Sequence, residues 1–210
     1  MFNLPYVFTA LCSTLIIIHW LVVLTAIVQL PIAYGINDTK FDNTMILFNP
    51  CFGIVGCIIY SVVLSKYPKK MMLGLYSIVI GLILSWVFFY FVMVHTDRTL
   101  LCVANGIIGF FLLPIIFVSF EIAVEQTASD GVGESMSCGL FMSISQALAF
   151  ILDLCITPLL TAQTKKAGGI IFAILLFNLV LALLFLILAS ICSKKNAKKA
   201  SKTQANEENF

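Results

Sequence analysis

The chain has 210 residues, of which 61% are apolar and only 10% are charged. Soluble domains are about half apolar and roughly a quarter charged, so this composition excludes an ordinary soluble domain and predicts an all-α membrane protein. The formal net charge is only +2, and five lysines follow the last apolar segment, which favours the lipid bilayer over nucleic acid as a partner.

Six segments can cross a bilayer, because a spanning helix needs about 20 predominantly apolar residues. In chain order they cover residues 6–34, 47–64, 71–94, 100–124, 137–160 and 168–192. Residues 1–192 are therefore predicted to form one transmembrane domain. Residues 193–210 are polar and rich in lysine, which predicts a disordered basic tail.

Both termini are predicted to be cytosolic, since cytosolic loops carry more Lys and Arg than loops on the other side. The predicted cytosolic loops and tail hold eight such residues, and the opposite loops hold four. This orientation suits a multi-pass protein of the plasma membrane or an organelle membrane. Asn37 opens an N-glycosylation sequon on the outer side, although the short loop also allows the sequon to remain unused.

The first span carries His19 and Trp20 at mid-depth, where polar groups are costly and need a reason. His19 is a candidate proton carrier or substrate contact, and the alternative is a hydrogen bond to a neighbouring helix. Trp20 is a candidate wall for a cationic substrate by cation–π attraction, with simple packing as its alternative. The aromatic cluster over residues 86–91 of the third span predicts a belt at the membrane interface.

The fourth span holds features of two kinds. Gly106 and Gly109 predict a close approach to another helix backbone. Glu121 and Glu125 lie one turn apart at the predicted cytosolic end and repel each other unless a cation lies between them. We expect them to act as a gate latched by nearby lysines, with proton coupling as the alternative.

The fifth span presents a polar stripe. Its members are spaced four or three residues apart and therefore share one helix face: Gly139, Ser143, Gln146, Phe150, Asp153 and Thr157. Such a face in a membrane favours a substrate pathway, with Gln146, Ser143 and Asp153 as candidate substrate contacts. The alternative is hydrogen bonding that only holds the helices together.

No enzymatic motif appears in the sequence, so we expect no catalytic residues, no cofactor and no metal site. Six spans divide into two sets of three, which suggests a fold built from two inverted three-helix repeats. The sequence shows no clear repeat between residues 1–94 and 100–192.

Four short stretches resemble a known family. They are GFFLLP from Gly109, SFEIAVE from Ser119, ESMSCGL from Glu134, and the pair Ser145-Gln146. These resemble the tenth and eleventh helices of the feline leukemia virus subgroup C receptor-related family, in the major facilitator superfamily. The resemblance implies that this chain corresponds to the C-terminal six-helix half of a twelve-helix transporter.

Members of that family transport choline and ethanolamine, and some are linked to haem export. The resemblance therefore implies transport of a small organic solute by alternating access, with Gln146 lining the cavity. It also implies a partner, either an N-terminal six-helix half or another subunit. The alternative hypothesis is a truncated, non-transporting paralogue or a six-span scaffold that binds a membrane partner.

Overall fold

A computed structural model describes residues 4–36, 39–67, 70–127, 134–162 and 164–207. These residues form α1 (Leu4–Ala33), α2 (Thr39–Lys66), α3 (Met71–His95), α4 (Arg98–Thr127), α5 (Glu134–Thr161) and α6 (Lys165–Glu207). Within the described part of the chain, all six helices are long and apolar enough to span a membrane. The predicted class, an all-α membrane protein with six spanning helices, is confirmed.

Two helix limits differ from the predicted segments by more than three residues. α2 begins at Thr39, ahead of the predicted residue 47, because Phe41 and Met45 are buried in the core and extend the packed helix. α6 continues to Glu207, so the prediction of a disordered tail is wrong for residues 193–207. That stretch is rich in Lys and Ala, which have high helix propensity and prolong a helix already nucleated in the membrane.

The helices pack in a pattern that is repeated between the two triplets. The first triplet is α1–α3 and the second is α4–α6. From the first triplet, α2 and α3 both pack on α4, the first helix of the second triplet. From the second triplet, α5 and α6 both pack on α1, the first helix of the first triplet. Exchanging α1–α3 for α4–α6 therefore maps one set of contacts onto the other. α1 and α4 are the most buried spans, whereas α2 and α5 are the least covered by the rest of the described chain.

Glycines bring α2 and α4 into backbone contact. A Cβ at Gly56 would overlap the Phe110 carbonyl, and a Cβ at Gly109 would overlap the Asn49 carbonyl. Because Pro114 has no N–H, the Phe110 carbonyl four residues earlier lacks a partner within α4, and it lies against Gly56. The predicted close approach at Gly109 is confirmed, and α4 continues as a helix through Pro114.

A pair of buried amides joins the same two helices. The Asn49 side-chain amide donates to Asn105 Oδ1 over 3.0 Å. Asn105 in turn donates to the Met45 carbonyl over 2.6 Å. Both asparagines are buried, so each amide gains a partner that it would lack in lipid.

The aromatic cluster of α3 does not form an interface belt as predicted. Trp86 and Phe89 are fully buried, with ring centroids 5.4 Å apart. They point into the bundle, where Trp86 also meets His19 of α1 and Phe172 of α6. Phe88 and Phe91 are the exposed rings of this stretch.

Candidate functional site

The polar stripe of α5 lies on the uncovered side of the six-helix body. We call it the polar flank, and it comprises Gly139, Ser143, Gln146, Phe150, Asp153 and Thr157. Asp153 is half-buried, and the other five are exposed. The residues that α5 packs against the body are on a separate stripe: Ser145, Ala149, Ile156 and Leu160.

Another side of α5 is also uncovered but has the opposite character. This apolar flank consists of Ile144, Leu148, Ile151 and Cys155, all exposed. An apolar flank is what lipid tails require. The polar flank would instead leave hydrogen-bonding groups in hydrocarbon, so the two sides of α5 suit different surroundings.

Among the described residues, side-chain hydrogen bonds join α5 to α1 at two levels. The buried Ser145 hydroxyl donates to the Thr14 hydroxyl over 3.2 Å. Further along, the Thr25 hydroxyl lies 2.9 Å from Asp153 Oδ1 and 2.8 Å from the Val22 carbonyl. Since a hydroxyl has one proton, Thr25 can donate to only one of these acceptors at a time.

The polar side chains of the polar flank have few hydrogen-bond partners among the described residues. Asp153 has Thr25 as its one side-chain hydrogen-bond partner there, and Gln146 is exposed without a partner among them. Ser143 and Thr157 donate to carbonyls of their own helix, over 2.9 and 2.8 Å. An unpaired amide and a carboxylate inside a spanning helix therefore remain available to water, a solute or another helix.

Phe150 lies between Gln146 and Asp153 on the polar flank and is 64% exposed. An aromatic face beside a carboxylate attracts organic cations, through both the ring quadrupole and the charge. The Gln146 amide can both donate and accept a hydrogen bond. Together these three side chains offer a site for a small polar cation, such as an amine with a hydroxyl group.

His19 does not belong to this site, which corrects its prediction as a substrate contact. Its side chain is fully buried and lies edge-on to Trp86, with ring centroids 5.2 Å apart. The Leu175 backbone of α6 is close, but no hydrogen bond of regular geometry forms to either ring nitrogen within the described residues. His19 therefore points into the core where α1 meets α3 and α6. Trp20 is half-buried and packs against the core.

The two carboxylates of α4 have different surroundings. Glu121 is exposed and lines a cleft between α2 and α4. Glu125 is also exposed, one turn further on, and is not part of the cleft lining. Lys70, one of the lysines expected to latch them, lies instead over the Tyr67 ring, 5.3 Å from its centroid. Lys69 and the sequon residue Asn37 lie outside the described residues.

Sequence reasoning did not identify Thr25 as a site residue. A single threonine in a long apolar segment carries no periodic signal, and its pairing with Asp153 depends on how α1 and α5 pack. By contrast, Gln146, Phe150 and Asp153 share a helical spacing that is visible in the sequence.

Comparison of the sequence with models of known protein families gave no match, and comparison with curated protein sequences gave none either.

Proposed function

We propose that this protein is a secondary transporter that moves a small organic solute across a membrane by alternating access. The observation that carries the proposal is the uncovered polar flank of α5, where Gln146 and Asp153 lie within a membrane span without adequate partners. Polar groups at such positions commonly mark substrate or ion pathways. Phe150, between them, favours a solute with a cationic amine.

The proposed architecture is one half of a major facilitator fold. The exchange of contacts between α1–α3 and α4–α6 supports two three-helix repeats, and an odd number of spans per repeat inverts the second relative to the first. Substrate sites of such folds lie at repeat interfaces near the bilayer midplane. The weak coverage of α2 and α5 supports a further six-helix half, or another subunit, as the opposite wall.

Choline and ethanolamine are the solutes we propose first, with haem as a further candidate from the family resemblance. Choline and ethanolamine are both small cations that carry a hydroxyl group. Asp153 and Phe150 would therefore contact the cationic nitrogen, and Gln146 would hydrogen-bond to the hydroxyl. Ser143 would lie at the edge of this site. With both termini in the cytosol, Glu121 and Glu125 would contribute to closing the cytosolic side.

Uptake of labelled choline in cells that lack their own choline transport tests this function. Gln146→Ala should lower uptake about tenfold, the effect of losing one hydrogen bond of roughly 1.4 kcal/mol. Leu148→Ala is the matched control, because Leu148 is exposed on the apolar flank of the same helix. Equal uptake by both variants at equal membrane levels would remove Gln146 from the site.

The uncovered faces of α2 and α5 also suit a second function, that of a non-transporting protein which binds a membrane partner. That function predicts no uptake by the chain alone, together with co-purification of a twelve-helix relative. Uptake by the purified chain in liposomes would exclude it.

A further inference from the structure

The cleft between α2 and α4 is a second candidate binding site, and it lies beside the part of α4 that runs from Pro114 to Val124. Its volume is about 820 Å³, within the range of ligand pockets. Its lining is mainly apolar, and the residues that matter here are Ile58, Ser61, Val62, Pro114, Phe117 and Glu121. Glu121 is the one charged side chain among the described lining residues.

The cleft forms where the tight contact between α2 and α4 ends. Gly56 holds the two backbones together beside Phe110. Beyond that point the side chains are large, with the Tyr60 and Phe110 rings 6.3 Å apart. These larger side chains separate the helices, and the cleft opens outward past Val62 and Phe117, which are 51% and 62% exposed.

The position of Glu121 on α4 indicates how deep the cleft lies in the membrane. The apolar stretch of α4 gives way to polar residues shortly after Glu121, from Glu125 to Thr127, which places Glu121 near the level of the lipid headgroups. The apolar lining runs from there towards Pro114 and Cys57 in the interior of the span. A carboxylate at headgroup level beside an apolar groove fits a molecule with one cationic end and one hydrocarbon chain.

A membrane phospholipid with a cationic group at the end of its headgroup could place one of its two acyl chains in such a groove, and the surrounding bilayer would supply it at this level. The carboxylate favours a headgroup that carries a positive charge and can donate hydrogen bonds, since charge-assisted hydrogen bonds are the strong ones. A primary ammonium meets both conditions, whereas a quaternary ammonium has no N–H to donate. An anionic glycerol headgroup would bring like charges together.

We infer that the cleft between α2 and α4 binds a single phosphatidylethanolamine molecule, with its ammonium on Glu121 and an acyl chain along Ile58, Val62 and Phe117. The site shares no residue with the polar flank of α5, which carries the proposed function, and Glu121 is the one residue that it shares with the proposed closure of the cytosolic side. A failed lipid test would therefore leave the proposed transport function standing, and a failed uptake test would leave the lipid site standing.

Native mass spectrometry tests this site. The full chain is reconstituted with equal amounts of phosphatidylethanolamine, phosphatidylcholine and phosphatidylglycerol and then transferred to mild detergent. Wild type should retain one phosphatidylethanolamine. Glu121→Gln should lower that retention roughly tenfold, whereas Glu125→Gln, one turn away and outside the cleft lining, should not.

A second pair of variants keeps the Glu121 carboxylate and tests the volume of the cleft. Val62→Trp should fill the groove and also remove the lipid, while Val63→Trp should not, because Val63 is exposed but does not line the cleft. Two results would overturn the inference. One is unchanged retention by both Glu121→Gln and Val62→Trp, and the other is equal retention of all three lipids by wild type.

Discussion

Asn49 and Asn105 show how a buried polar residue can be stabilising in a membrane protein. Each side chain supplies a donor to a group on the other helix. Asn178 of α6 is also buried, but its Oδ1 has no hydrogen-bond partner within the described residues. The same residue type therefore has opposite energetic consequences in the two places.

Substitution of these asparagines should separate the two cases. Asn49→Ala and Asn105→Ala should each lower the free energy of unfolding by about 1–2 kcal/mol, as expected for interhelical hydrogen bonds in membranes. Asn178→Leu should cost little, because it removes an acceptor that is already unpaired. Unfolding in mixed detergent micelles measures all three. A loss at Asn178→Leu as large as at Asn105→Ala would contradict the hydrogen-bond assignment.

The sequence predicts which residues of α5 share a face, but it does not predict the direction of the His19 side chain. The spacing of Gln146, Phe150 and Asp153 was sufficient to predict a shared polar face, because helical periodicity is local. His19 was wrongly placed in the site because hydropathy gives depth along a helix but not direction around it. That direction depends on the contact with Trp86, which only tertiary packing supplies.

At the scale of elements, glycines bring the backbones of α2 and α4 into direct contact. Hydropathy identified both spans, and Gly106 and Gly109 indicated a close approach on α4. The partners on α2, Gly56 and Asn49, were not predicted, because nothing in the sequence states which two helices pair. The hydrophobic effect does not drive helices together in lipid, so small residues at such contacts stabilise the pair by permitting close van der Waals packing.

Alanine substitutions at three glycines test this seam. Gly56→Ala and Gly109→Ala should each lower the free energy of unfolding by about 1–3 kcal/mol, since the new methyl group meets a backbone carbonyl that cannot move aside cheaply. Gly169→Ala on α6 is the control, because nothing lies within 4 Å of its Cβ position, and it should gain up to about 1 kcal/mol of helix propensity. Similar stability for all three variants would contradict the close contact.

At the scale of the whole molecule, the least covered helices are α2 and α5. They hold equivalent places in the two triplets, since α2 packs on α4 as α5 packs on α1. The sequence predicted the number of spans and their grouping in threes. That grouping implies equivalent places for α2 and α5, but the helices against which they pack could not be predicted, because the two triplets show no visible sequence repeat.

The proposed transport function requires that the polar flank of α5 face an aqueous pathway and that the apolar flank face lipid. In a variant without native cysteines, single cysteines are introduced as Gln146→Cys, Phe150→Cys, Leu148→Cys and Ile151→Cys. Each is then exposed in intact membranes to a charged, membrane-impermeant thiol reagent, which reacts only with thiols in contact with water. Cysteines at 146 and 150 should react, whereas those at 148 and 151 should not. Equal reaction at all four positions, or reaction at 148 and 151 alone, would contradict the proposed function.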